Sequence, residues 1–259
     1  MTVAVVACGE DGASERSVPE LEPRSDITRT VTAEQRDVVS VLTLDAQVVA
    51  NPRFIVAAPE DGTLVVERTE GERLGAVLAG EEHDIELPSQ ASLEEWLVDD
   101  GEDVVEGLPV ATATWTGYGV VAEVAPEKAH RLYGELGPVR VEIPSGRGPF
   151  DCTLLGTVQS ADSSGDMRVV CAPDDEVRVH AGAPALMGVT TGRAEDVVAV
   201  PVEAVAGVTG TGSVDVVDSD GERVTREVEL GITDGVVIEV RAGLDGGEEL
   251  AVPAPGVGS

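Results

Sequence analysis

The side chains suited to chemistry are few in this chain: three histidines, three cysteines and a single lysine, Lys128, among 259 residues. His83, His130 and His180 are far apart, and none has the short spacing that brings two ligands onto one metal. His83 is flanked by the acids Glu82 and Asp84 in an expected loop. The acidic pairs Asp99-Asp100 and Asp174-Asp175 fall in turns, where they read either as weak calcium ligands or as solvated turn carboxylates. No Gly-x-Ser-x-Gly elbow occurs. Thr209-Gly210-Thr211-Gly212-Ser213 is glycine-rich, but a strand pattern follows it. A phosphate cradle needs a helix N-terminus there, so a hairpin loop is expected. The residues therefore point away from an enzyme and imply no cofactor and no metal.

Charge narrows the partners. Asp and Glu number 49 against 17 Lys and Arg, a formal net charge of -32. Such a field repels phosphate backbones, which excludes nucleic acid. It also disfavours docking of the protein surface itself on anionic lipid. Hydrophobic residues make up 42 % but aromatics only 2 %, so the core must be built from Val, Leu, Ile and Ala, a composition that favours strands.

Two features bear on location. Val5-Val6-Ala7-Cys8 fits a lipobox, in which Cys8 takes a diacylglycerol thioether; the alternative is a free cysteine in a frayed terminus. The apolar stretch from Val3 is short for a whole signal peptide, which places signal sequence upstream of Met1 or implies its removal. Gly, Ser and Pro follow, up to Pro23, in the manner of a tether. Cys152 and Cys171 flank the turn-forming run Ser160–Asp166 and read as a hairpin with the cysteines opposite each other. In an exported protein they are a disulfide candidate; two unrelated buried thiols are the other reading.

The elements that position these residues are short strands punctuated by Gly and Pro. Arg29–Thr32 and Val38–Leu44 read as strands, with Val48 and Val49 continuing the pattern. Ser92–Leu97 reads as a helical turn capped by Ser92 or as the approach to a strand. Pro126–Tyr133 is the best helix, with Pro in its first turn and Gly134 as its stop. Val120–Val124, Val139–Ile143, the cysteine hairpin and Val177–Val179 follow as strands suited to a compact barrel. The runs from Val197, Val214, Val224, Val236 and Leu244 complete an alternating strand series with Asp-Gly turns.

Within this series, Val56–Val66 with Glu70–Leu78, and Trp96–Ala111, form two glycine-punctuated strand–turn–strand units. They resemble the half-motifs of a biotinyl/lipoyl-like domain. Gly62, Gly71, Gly101 and Gly107 are expected to serve turns with unusual backbone angles. A carrier domain needs a lysine at its hairpin tip, and Lys128 lies outside both half-motifs. In the C-terminal third come Val200–Val205, a hairpin at Gly212–Val217, a strand ending Val228-Glu229-Leu230-Gly231 and the turn Gly243–Leu250. With the half-motifs and lipobox, this ordered set resembles the periplasmic adaptor (membrane fusion) subunits of efflux transporters. It is most similar to lipoprotein adaptors of actinobacterial-type ABC exporters. Between the half-motifs only Ala79–Ser92 intervenes, interrupted by Pro88, too short for the long α-helical hairpin of adaptors that span a periplasm.

The resemblance implies a mainly β, modular fold: a lipoyl-like (barrel-sandwich hybrid) domain inserted in a β-barrel, with a membrane-proximal β domain. Its expected divisions are 1–25, lipobox and tether; 26–53, first strands of the membrane-proximal and barrel domains; 54–115, lipoyl-like domain; 116–199, β-barrel; 200–254, membrane-proximal domain; and 255–259, tail. It implies a non-catalytic adaptor, lipid-anchored on the extracellular face of the cell membrane, with an ABC permease and its ATPase as partners and a homo-oligomeric ring. The alternative is a stand-alone cell-surface or cell-wall binding lipoprotein.

Overall fold

The computed structural model describes residues 29–67, 73–132, 136–144, 146, 148–159, 167–254 and 256. In chain order the strands are β1 (Arg29–Thr32), β2 (Glu34–Ala50), β3 (Arg53–Ala57), β4 (Gly62–Val66), β5 (Arg73–Leu78), β6 (Glu82–Glu86), β7 (Ala91–Trp96), β8 (Asp103–Val104), β9 (Pro109–Trp115) and β10 (Tyr118–Val124). A single-turn helix α1 (Pro126–Ala129) and a 3-10 turn (His130–Leu132) follow. Then come β11 (Val139–Glu142), β12 (Phe150–Gln159), β13 (Met167–Pro173), β14 (Pro184–Pro201), β15 (Ala206–Thr209), β16 (Thr211–Val217), β17 (Arg223–Thr233), β18 (Val237–Ala242) and β19 (Glu249–Val252).

The fold is mainly β and modular, as the sequence led one to expect. Strands β14, β11, β12, β13, β10 and β2 close on one another as a six-stranded barrel, because β2 pairs with both β10 and β14. Alternation explains its interior. Leu42, Leu44 and Val48 of β2, Val120, Ala122 and Val124 of β10, and Ala185, Met187 and Val189 of β14 all point inward and are buried. Leu132 of the 3-10 turn is buried with them and Ala129 of α1 packs against them, as their shared helical face suggests.

Between β2 and β10 the chain forms two small sheets, β3-β9-β7 and β6-β5-β4-β8, packed around Phe54, Leu64, Val77 and Val110. The two half-motifs interlock here. Ala58 N–H donates to the Leu108 carbonyl, Gly107 N–H donates to Ala58, Leu64 N–H donates to Glu102 and Gly101 N–H donates to Leu64. This unit leans on the barrel wall: Val170 and Ala172 of β13 belong to its core, while their neighbours Val169 and Cys171 face the barrel interior. The remaining strands form a terminal sheet, β1-β19-β16-β17-β18 with β15 also paired to β16, continuous with the end of β14. Its own core includes Val200, Val214, Val228, Leu230, Ile238 and Leu250.

Several local expectations change. The separate runs at Val38–Leu44 and Val48-Val49 are one 17-residue strand. The run at Val197 is the end of an 18-residue strand that begins at Pro184. Ser92–Leu97 resolves as strand, since β7 pairs with β9. Val177–Val179 has strand-like alternation but is a loop: it pairs with no strand among the described residues, and β14, which follows it, already takes β11 on one side and β2 on the other. Ala79–Gln90 holds strand β6 and a turn closed by Ala91 N–H on the Pro88 carbonyl, so the half-motifs are joined without a helix.

Candidate functional site

Among the described residues no group of three or more His, Cys, Asp or Glu could hold a metal ion. His83 lies on β6 against Glu60 at 3.3 Å, His130 on the 3-10 turn and His180 in the loop before β14, so the three histidines do not converge. Lys128 sits on α1, outside the two small sheets. Cys8, Gly71 and the run Ser160–Asp166 lie outside the described residues.

Cys152 and Cys171 form a disulfide with Cα atoms 5.6 Å apart. They are not opposite each other. Cys152 pairs with Pro173 and Cys171 with Leu154, so the bond runs diagonally across the β12–β13 ladder. An offset of two residues leaves both side chains on the same face, and both are buried in the barrel core.

The turn glycines divide by physical cause. Gly101 (φ 86°) and Gly107 (φ 79°) occupy left-handed turn positions. Gly62 does not: its backbone is ordinary, and what it supplies is room. A Cβ there would lie 2.4 Å from the Leu78 carbonyl oxygen of the paired strand β5. Asp100 likewise has a structural partner, accepting from Val66 N–H at 2.9 Å.

Structural features that could carry function include the junctions between the three β units. The first is the double crossing between the barrel and the small sheets. Asn51 and Gly117 are hydrogen-bonded to each other there, and Trp115 N–H donates to the Pro52 carbonyl at 3.0 Å. Close packing seals the crossing: β3 passes so near β12 that a Cβ on Gly156 would lie 2.5 Å from the Ile55 carbonyl oxygen. Gln90 Nε2 also reaches Asp175 Oδ1 at 3.2 Å, tying the small sheets to the loop before β14.

The second junction is the paired spine of β2 and β14, whose ladder runs from Gln47–Pro184 in the barrel to Glu34–Ala199 beside the terminal sheet. Two register shifts interrupt it, at Thr190/Gly192 and Ala194/Val197. At the first, Arg131 Nη2 donates to the buried Ser40 hydroxyl at 3.0 Å, and Thr191 Oγ1 lies 3.2 Å from the same oxygen. At the second, Asp196 takes a left-handed backbone (φ 52°) and its N–H donates to Asp37 Oδ1 at 3.0 Å. Bulges of this kind bend a strand pair without parting it.

The third is the far end of the terminal sheet. Val202 and Val236 are exposed side by side, joined by Val202 N–H on the Val236 carbonyl. Arg29, where the described chain begins, pairs with Glu203 next to them. In the same sheet Glu239 is buried, and its Oε2 accepts from Ile232 N–H at 2.9 Å. The bare Cα of Gly231 makes the space, since a Cβ there would lie 1.9 Å from that oxygen.

Local electrostatics follow these contacts. The Thr114 hydroxyl, and then Arg53, hold the Glu94 carboxyl below its ordinary range. Backbone N–H groups of Val237 and Val236, with Arg36 nearby, lower Asp234. The Asp245 N–H and Arg226 lower Glu248. Arg73 is raised, first by its hydrogen bond to Glu82 and then by Asp84 and Glu67. Sequence reading missed Asn51, Gly117, Ser40, Arg131, Gly231 and Glu239 as positioning residues. Only the Asn51-Pro52 pair carried a local signal, that of a turn.

No protein-family model matches the chain, and no curated protein matches it. Among solved structures it is similar to the crystal structure of ZneB from Cupriavidus metallidurans, with 14% identity over 93% of this chain and 96% of that one and a TM-score of 0.36. It is also similar to MacA from Actinobacillus actinomycetemcomitans, with 11% identity over 85% and 98% of the two chains and a TM-score of 0.48. A third is a putative efflux transporter from Bacteroides eggerthii, with 16% identity over 85% and 92% and a TM-score of 0.32.

Proposed function

We propose that this chain is a non-catalytic adaptor subunit of an ABC-type efflux transporter. In this reading a lipid on Cys8 holds it at the outer face of the cell membrane. The terminal sheet meets the extracellular part of a permease, and movements driven by the partner ATPase pass through the adaptor during substrate export. Copies of the chain assemble as a ring. Residues 54–115 act as the lipoyl-like domain, 116–199 as the barrel and 200–254, with the first strands, as the membrane-proximal domain.

The observation that carries this reading is the pairing of β2 with β14, which two bulges bend but do not part, from the barrel into the terminal sheet. A hydrogen-bonded pair of strands resists sliding, because each step of register would turn every inward side chain outward. Displacement at the terminal sheet therefore reaches the barrel, and the two crossings at Asn51 and Gly117 carry it into the small sheets. Ordered motifs from the half-motifs to Gly243–Leu250 support the same reading, as does a lipoyl-like unit nested between two barrel strands. Without a long helical hairpin, the lipoyl-like unit serves as a short cap.

The test is affinity purification of a C-terminally tagged copy from gently solubilised native membranes, read by mass spectrometry. A permease and its ATPase should co-purify. A preparation free of transporter but carrying wall fragments would reject the adaptor reading in favour of the cell-wall binding lipoprotein.

A further inference from the structure

The barrel is open at the end nearest the small sheets. Pro144, Gly146, Gly148 and Pro149, with the loop around Arg178, border a cavity of about 990 Å³ there, comparable with small-molecule sites, which run to about 1,000 Å³. Ile143, Phe150 and Val179 face it from the barrel core, against which they pack while staying partly exposed. Val177 adds to this apolar wall, and Glu176, Arg178 and His180 stand with it around the cavity. Val177 and Val179 are half-buried, while Arg178 between them is exposed and still borders the cavity.

Among the described residues most arginines form an ion pair with a carboxylate; Arg178, like Arg36 and Arg131, does not, and of these three it alone borders the cavity. We propose that the cavity binds an amphipathic organic anion, with its apolar body against Ile143, Phe150 and Val179 and its anionic head on Arg178. Burying an apolar tail removes water from these side chains. A guanidinium suits a carboxylate or sulfate head because its planar donors match two oxygens at once. Glu176 opposes the head and so limits affinity. The net charge of -32 opposes the approach of any anion, so the apolar contact and Arg178 together must outweigh it, which favours a ligand with a long apolar body and a single charge. This inference stands apart from the adaptor reading.

The test is isothermal titration of the full chain with dodecanoate below its micelle concentration. Saturable one-to-one binding is expected. Arg178→Glu should weaken it by at least about tenfold, a change that costs about 1.4 kcal/mol. Glu176→Gln should bind as tightly or more tightly, and dodecanol, with the same tail and no charge, should bind far more weakly. Both substituted residues are exposed, so unliganded variants should keep the wild-type melting midpoint. Absence of saturable binding overturns the proposal, as does binding that is unchanged by Arg178→Glu or equally strong for dodecanol.

Discussion

Asn51 and Gly117 hold each other at the point where the chain leaves the barrel and returns to it: Asn51 N–H donates to the Gly117 carbonyl at 2.6 Å, and Gly117 N–H donates to Asn51 Oδ1 at 3.0 Å. Both residues have left-handed φ values, 49° and 123°. Asparagine tolerates that conformation and also supplies the acceptor, a combination no other residue in the crossing offers.

This pair yields a graded prediction. Asn51→Gly keeps the backbone and loses one hydrogen bond, at a cost of about 1 kcal/mol. Asn51→Ala adds left-handed strain and should cost roughly 2 kcal/mol or more. Gly117→Ala should be destabilising through strain alone, since its Cβ would touch nothing closer than 3.7 Å. Urea denaturation of the three variants checks the order, and equal losses for both Asn51 variants would remove strain from the account.

The disulfide makes a second prediction. It closes a sequence separation of 19 residues, for which chain entropy gives about 3 kcal/mol of stabilisation. The Cys152→Ala/Cys171→Ala double variant should lose roughly that much, with small cavities adding to it. Equilibrium unfolding with and without reductant measures it: the wild type should become reductant-sensitive and the double variant should not.

How far the sequence could be read follows from the range of each signal. The inward rows Leu42–Val48 and Val120–Val124 are local alternations, so the barrel strands were legible from them. Val177–Val179 shows the same alternation and is a loop, because a strand also needs a partner edge, which is a property of the whole sheet. The diagonal cysteine bond depends on the register of β12 against β13, and Gly156 is demanded by β3 crossing over it. Asn51 and Gly117 are 66 residues apart, and nothing near either one announces the other.

A third prediction concerns Gly231 and Glu239. Adding a Cβ at 231 drives the carboxylate from its place, leaving Ile232 N–H without its acceptor. Gly231→Ala should therefore cost on the order of 2 kcal/mol. Glu239→Ala should also destabilise, but it removes the three atoms that the added methyl would otherwise lie nearest. The double variant should thus lose much less than the sum of the singles, and simple additivity in a double-mutant cycle would refute the steric coupling.

If a lipid on Cys8 anchors the chain, as proposed, Cys8→Ser should release a folded protein into the medium. Fractionation and immunoblotting of membranes against culture supernatant decide it, and a variant that stays with the membranes would show that the attachment lies elsewhere.

Acid supplies the last prediction. Glu94, Asp234 and Glu248 each have a lowered pKa in the folded state, through the Thr114 hydroxyl, the Val237 N–H and the Asp245 N–H respectively. The unfolded chain, with ordinary carboxylates, then binds protons more readily than the folded one. The contribution of these groups is complete above the ordinary carboxylate pKa and is lost as pH falls through the lowered values. Working against this loss, acid relieves the self-repulsion of a chain with net charge -32. High salt screens that repulsion, so stability near neutral pH should rise with salt while the acid limb becomes steeper to the eye. Urea midpoints measured from pH 7 to the acid range at high salt should therefore fall less for Asp234→Asn and Glu248→Gln than for the wild type. Parallel curves would mean that these carboxylates contribute no pH-dependent stability.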